Sequence, residues 1–202
     1  MRPLIASLIP AAIIAAAPAS AATGSLADVA AHLRGISTLT ADFVQTDRNG
    51  GSLAGTLSLK QPGRIRFQYQ KGVPLLIVGD GNALTMIDYS VRQVSRWPIG
   101  NSPLSVLIDP RKDMSRFART VPSAIPGMIM IEARDPKHPE FGTITIAFAR
   151  GGGPGGLVLQ GWTVLDAQNG RSTVRLTNQR FGVPISDRTF KWDDPRPKGP
   201  GK

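Results

Sequence analysis

The chain has 202 residues, 41% of them hydrophobic, a formal net charge of +10 and no cysteine. Without thiols there are no disulfide staples, no cysteine nucleophile and no cysteine-ligated metal, so a core must hold the fold by itself. A basic exported chain can meet anionic head groups or acidic partner surfaces, but the positive residues are dispersed rather than gathered in a block, which favours a solvated basic surface over a nucleic-acid stripe.

The first residues read as a secretory signal peptide. Met1-Arg2 is a short positive start, Leu4 to Ala17 is almost entirely apolar, and Ala19-Ser20-Ala21 is a small-x-small cleavage site. The apolar run falls short of the roughly 20 residues that a membrane-spanning helix needs. Cleavage near Ala21 is therefore expected, with export of the chain. Residues 22–192 then form one domain, long enough to bury a good core. Residues 193–202, rich in proline, glycine and charge, are expected to be a disordered tail.

After the signal, Leu26, Val29, Ala30, Leu33 and Ile36 recur at helical spacing. Ser25 can cap this helix and Asp28 suits its first turn, and Gly35 marks its end. From Thr40 the period changes to two. Strands are predicted over 41–47, 52–60, 64–70, 75–79, 83–88 and 92–97, separated by turn residues at 49–51, 61–63, 72–74, 80–82 and 89–90. Such short connections join antiparallel neighbours. A second short helix is predicted over 102–108, where Pro103 suits a first turn and Leu104, Leu107 and Ile108 fall on one side. A strand near 117–121 follows, then strands over 128–133, 143–149, 157–165 and 171–179, and a last apolar piece near Phe190. The glycine-rich stretch 151–156 lacks the spacing of a phosphate-binding loop and reads as a flexible hairpin turn. About ten strands in series with two helical breaks predict a sandwich or barrel rather than a βαβ fold.

Catalytic signatures are sparse. His32 and His138 have no metal-ligand spacing around them, and no GxSxG elbow is present. No metal or cofactor is expected. The carboxylates fall mostly at turns and strand ends, where they serve the backbone. A periplasmic hydrolase remains the enzymatic alternative, because two carboxylates brought together by the fold leave no local signature.

The alternating strands give one apolar face. Leu57 and Leu59 share it with Ile65 and Phe67; Leu76 and Val78, Leu84 and Met86, and Ile144, Ile146 and Phe148 are read as its continuation. Alternation does not separate a filled core from a ligand pocket.

A resemblance bears on that choice. Phe43-x-Gln45, then Gly55-x-Leu57-x-Leu59-Lys60-x-Pro62-Gly63-x-Ile65-Arg66-Phe67-x-Tyr69, Val78-x-Asp80-Gly81 and Asp88-Tyr89-x-x-x-Gln93-Val94 follow in order. Pro103-Leu104 with Leu107, the stretch Trp162–Asp166, Asn169-Gly170 and Phe190-x-Trp192 complete a set covering nearly all of the chain after the signal. In these pieces the sequence resembles the periplasmic outer-membrane lipoprotein carriers (LolA-like). That resemblance implies a mainly β fold with a few short helices, an open antiparallel half-barrel with a helical lid over an apolar cavity. It implies a non-enzymatic chaperone that shields lipoprotein acyl chains, is loaded by an inner-membrane ABC transporter and delivers at the outer membrane, as a monomer without nucleic acid.

The expected cavity wall is Phe43, Leu57, Leu59, Ile65, Phe67, Leu76, Val78, Met86 and Ile146, with a one-residue slip in register exchanging faces. The expected lid side is Leu33, Ile36, Leu104, Leu107 and Ile108. Where the family pattern has an arginine before the proline of the second turn, this chain has Gln61; Gln61 and Arg64 are the candidates for a lid latch, with Arg66 as a further substitute pointing away from the apolar face. Two other readings share the fold: a lipid- or peptide-sensing regulator, and a carrier for another envelope lipid.

Overall fold

The structure, a computed structural model, describes residues 24–98, 105, 109–111 and 113–197. The signal segment 1–21, the lid residues Leu104, Leu107 and Ile108, and residues 198–202 lie outside the described residues. Within the second predicted helix Ser105 is described: it is helical and buried, and its carbonyl accepts from the Asp109 N–H at 2.8 Å.

Helix α1 spans Leu26–Gly35. It begins with a reciprocal capping box, in which the Asp28 N–H donates to Ser25 Oγ at 3.1 Å and the Ser25 N–H donates to the Asp28 carboxylate at 2.9 Å. Val29, His32 and Leu33 form its buried stripe. At Gly35 the helix meets Pro154, whose Cβ would stand 2.7 Å from any Cβ placed there.

The eleven strands among the described residues join one antiparallel sheet. They are β1 Thr38–Thr46, β2 Ser52–Lys60, β3 Arg64–Tyr69, β4 Leu75–Asp80, β5 Ala83–Asp88, β6 Gln93–Pro98, β7 Ala118–Val121, β8 Met128–Arg134, β9 Thr143–Arg150, β10 Leu157–Leu165 and β11 Arg171–Phe181. Their order is β6-β5-β4-β3-β2-β1-β11-β10-β9-β8-β7, so two meanders meet where the first strand pairs with the last. Strand spacing had predicted a sandwich or barrel; instead a single sheet curls and stays open between β6 and β7.

The curl can be read from side chains. Phe67 on β3 and Trp162 on β10 are separated by three strands, about 19 Å along a flat sheet, yet their ring centroids lie 6.0 Å apart. Only a strongly bent sheet brings them together. Two bulges help the bend. One interrupts the β1–β11 ladder between Thr40 and Asp42; the other interrupts β10–β9 between Leu159 and Gly161. Gly161 takes φ 148°, and a Cβ there would stand 2.1 Å from the Val174 carbonyl oxygen.

The main core fills the concave face, from Phe43 and Leu57 through Ile131, Ile146 and Phe148 to the underside of α1. A smaller cluster lies on the convex face. There Leu76, Val78 and Ile87 are covered by Val94 and by Phe190 and Trp192 of the C-terminal segment. Leu76 and Val78 thus do not face the cavity, contrary to the expected wall. The physical reason is that Leu75-Leu76-Ile77-Val78 is apolar at every position, so alternation gives no phase. The C-terminal strap makes the convex choice stable. Lys60 Nζ donates to the Ile185 carbonyl at 3.1 Å and pairs with Asp187 at 2.6 Å, and Arg66 Nη1 donates to the Thr189 and Lys191 carbonyls at 3.1 and 3.0 Å. Beyond the strap, residues 193–197 have no regular structure, and Arg196 pairs with Asp194 at 2.6 Å.

Candidate functional site

Between the concave face and α1 lies a cavity of about 180 Å³. Leu33 and Ile36 form its helical side. Leu39, Leu57, Leu59, Ile65, Phe67, Ile77 and Leu84 come from the first meander, and Leu159, Trp162, Val164 and Val174 from the second; the polar members are Gln45, Gln61 and Ser172. No ionisable side chain is among them. An engineered apolar cavity of roughly 150 Å³ stays dry and takes up one benzene ring. By that measure this one admits a short stretch of hydrocarbon, and a longer ligand must displace part of the wall.

Four of the nine expected wall residues, Leu57, Leu59, Ile65 and Phe67, line the cavity. Phe43 lies beneath it, its ring edge-on to Phe67 at 5.3 Å and to Tyr69 at 5.2 Å. Ile146 is fully buried in the core beside its ladder partner Trp162. Met86 is half-buried opposite Ile77 on the concave face but is outside the lining. Leu76 and Val78 are replaced by their neighbour Ile77. The contributions of β10 and β11 were missed in sequence because non-adjacent strands meet here only through the curl. Pairing of β1 with β11 was the one fact needed, and no local pattern encodes it.

The latch candidates behave differently from each other. Gln61 lines the cavity, and its Oε1 accepts from the Gly63 N–H at 3.3 Å within its own turn. Arg64 faces the other way and pairs with Asp187 of the strap at 2.6 Å. Arg66 likewise serves the strap. Neither arginine reaches α1, because odd and even positions of β3 point to opposite faces.

Besides the packing of Val29 and Leu33 on the core, α1 is tied down by His32. Its side chain is fully buried, edge-on to Phe148 at 5.5 Å and to Phe181 at 6.2 Å, and Nδ1 lies 2.6 Å from the Pro154 carbonyl. A carbonyl only accepts, so Nδ1 carries a proton and donates. Burial holds the pKa below the usual histidine value, and Nε2 has no hydrogen-bond partner among the described residues. The 151–156 stretch, expected to be a flexible turn, is thus the seat of the helix anchor.

The described residues thus form an open, curled sheet with a cavity under a helix, and no titratable side chain stands in the described part of its wall. A family model described as "Outer membrane lipoprotein carrier protein LolA" matches residues 34–193. The chain therefore belongs to the outer-membrane lipoprotein carrier family, whose members are periplasmic carriers and not enzymes. It is 39% identical over 114 residues to an outer-membrane lipoprotein carrier protein of Chromobacterium violaceum, a match covering 53% of this chain and 55% of that protein. The chain thus spans about half the length of that relative. A carrier of the same description from Dechloromonas aromatica is 25% identical over 95% of this chain and 94% of its own. Among solved structures, a DUF1329 family protein of Desulfovibrio piger shares the fold with a TM-score of 0.51 at 10% identity, over 82% of this chain and 94% of that one.

Proposed function

We propose that this chain is a soluble periplasmic chaperone that carries lipoproteins from the inner to the outer membrane, with acyl chains held in the cavity between α1 and the concave sheet. A cavity wall whose described residues carry no ionisable group supports the reading. Each buried CH₂ contributes about 0.8 kcal/mol, so one long acyl chain amounts to about 10 kcal/mol and does not cross water unescorted. A carrier has to match much of that burial and still let go. A partly filled face closed by a helix with one hydrogen-bonded anchor meets both needs, because release runs toward whichever site binds the lipid better. On this reading residues 1–21 are removed on export, 22–192 act as one monomeric domain, an inner-membrane ABC transporter loads the cavity and no nucleic acid is involved.

Mass spectrometry of the protein purified gently from periplasm tests this, beside Ile65→Glu and the half-buried Leu84→Gln. Co-purified lipoproteins, lost in both variants while circular dichroism stays unchanged for Leu84→Gln, are the expected result. Free phospholipid in their place would point to a carrier for another envelope lipid.

A further inference from the structure

The cavity is polar at two places, and they lie at opposite ends. Gln61 belongs to the β2–β3 turn, next to Leu59; Gln45 and Ser172 lie at the far end of β1 and the start of β11. Along β1 the wall runs from Leu39, paired with Leu59, to Gln45, paired with Leu53. At about 3.4 Å per residue that distance is about 20 Å. A bilayer core is about 30 Å thick and two acyl chains deep, so one chain is about 15 Å long. One chain laid along β1 therefore puts its polar end at one of these two places.

The two ends differ in preorganisation. At Gln61 the amide is tied only to its own turn, by the 3.3 Å contact with the Gly63 N–H. At the other end the Tyr69 hydroxyl donates to Gln45 Oε1 at 2.5 Å. Tyr69 is buried and its pKa is pushed up to about 12, so it keeps its proton and remains the donor. With its oxygen fixed, the Gln45 amide presents its NH₂ side, which reaches Ser172 Oγ at a long 3.4 Å. An amide nitrogen has two N–H donors and a serine hydroxyl has one. The second Gln45 N–H and the Ser172 O–H have no acceptor among the described residues.

We propose that Gln45 and Ser172, oriented by Tyr69, form the subsite for the polar end of an acylated ligand. Gln45 Nε2 and Ser172 Oγ donate to the ester or amide carbonyl at the head of one acyl chain, and the methyl end runs toward Gln61. This rests on the acyl-carrier reading above and specifies the ligand class within it. A carbonyl satisfies the donors, whereas an alkyl chain linked without one desolvates them and leaves them unpaired.

The test compares two peptides of one sequence, one carrying a palmitoyl ester and one a hexadecyl thioether, for displacement of a fluorescent fatty probe from the full chain without its signal. One to two neutral hydrogen bonds predict a preference of roughly fivefold to thirtyfold for the palmitoyl peptide. Gln45→Met abolishes that preference by raising hexadecyl affinity toward that of the palmitoyl peptide, since the desolvated donor is gone, Ser172→Ala and Tyr69→Phe reduce it, and Gln61→Met keeps it. Equal affinity of the unaltered protein for both peptides, or loss of preference in Gln61→Met alone, overturns the assignment. If neither peptide displaces the probe, the carrier reading itself falls.

Discussion

At the scale of single residues, His32 has the largest consequence for its size. It is the one titratable side chain of α1 that is fully buried, and it joins the helix to the 151–156 loop through the Pro154 carbonyl. In the folded protein burial disfavours the imidazolium, so the folded pKa lies below the unfolded value of about 6.5. The unfolded chain then binds more protons as pH falls below about 6.5, and this contribution to stability, complete above that pH, is lost progressively toward the folded pKa. Urea midpoints between pH 7.5 and 5 are expected to fall more steeply in the unaltered protein than in His32→Gln, whose side chain does not titrate. Equal slopes would remove His32 from the account. Sequence placed His32 on the helix but in no role, because a lone histidine on an apolar stripe carries no sign of the carbonyl it will meet.

At the scale of elements, the convex strap and the concave wall have separate jobs. Leu76 and Leu59 are both buried leucines on neighbouring parts of the sheet, 2% and 8% exposed. Leu76→Ala empties a space beneath Phe190 and Trp192, while Leu59→Ala enlarges the cavity. Leu76→Ala is expected to cost about 3 kcal/mol of stability and leave acyl-ligand affinity alone, while Leu59→Ala is expected to change affinity at a smaller stability cost, since the Leu59 side chain already borders the cavity. Denaturation and probe titration on both variants check the pairing, and reversed outcomes would mean the faces of β4 are wrongly assigned. The strap's ion pairs, by contrast, are exposed, and neutralising Asp187 is expected to matter little. Element positions were largely legible: Ser25 and Gly35 bounded the helix, and turn residues such as Asp80-Gly81 and Asn169-Gly170 bounded the strands. The phase of β4 was not, because four consecutive apolar residues suit either face and the deciding contact comes from Phe190 and Trp192, more than a hundred positions away.

At the scale of the whole molecule, the curl makes the cavity. Phe67 and Trp162 meet because two meanders bend toward each other across the β1–β11 seam, assisted by the bulges at Thr40/Asp42 and at Gly161. Family resemblance supplied the open half-barrel; strand spacing alone pointed no further than sandwich or barrel, since a string of antiparallel hairpins is compatible with each. The same curl explains why five of the sixteen described lining residues could not be read from local sequence: Leu159, Val164 and Val174, with Trp162 and Ser172, acquire their role only from the seam.

The central claim, that lipoprotein acyl chains occupy the concave cavity, is tested most directly by site-specific photo-crosslinking in living cells at two adjacent positions. A benzophenone side chain at Ile77 points into the cavity, and one at Val78 points into the cluster beneath the strap. Lipoprotein adducts from position 77 and none from position 78 are the predicted result. Adducts from position 78, or none from position 77 in a folded and exported protein, would contradict it.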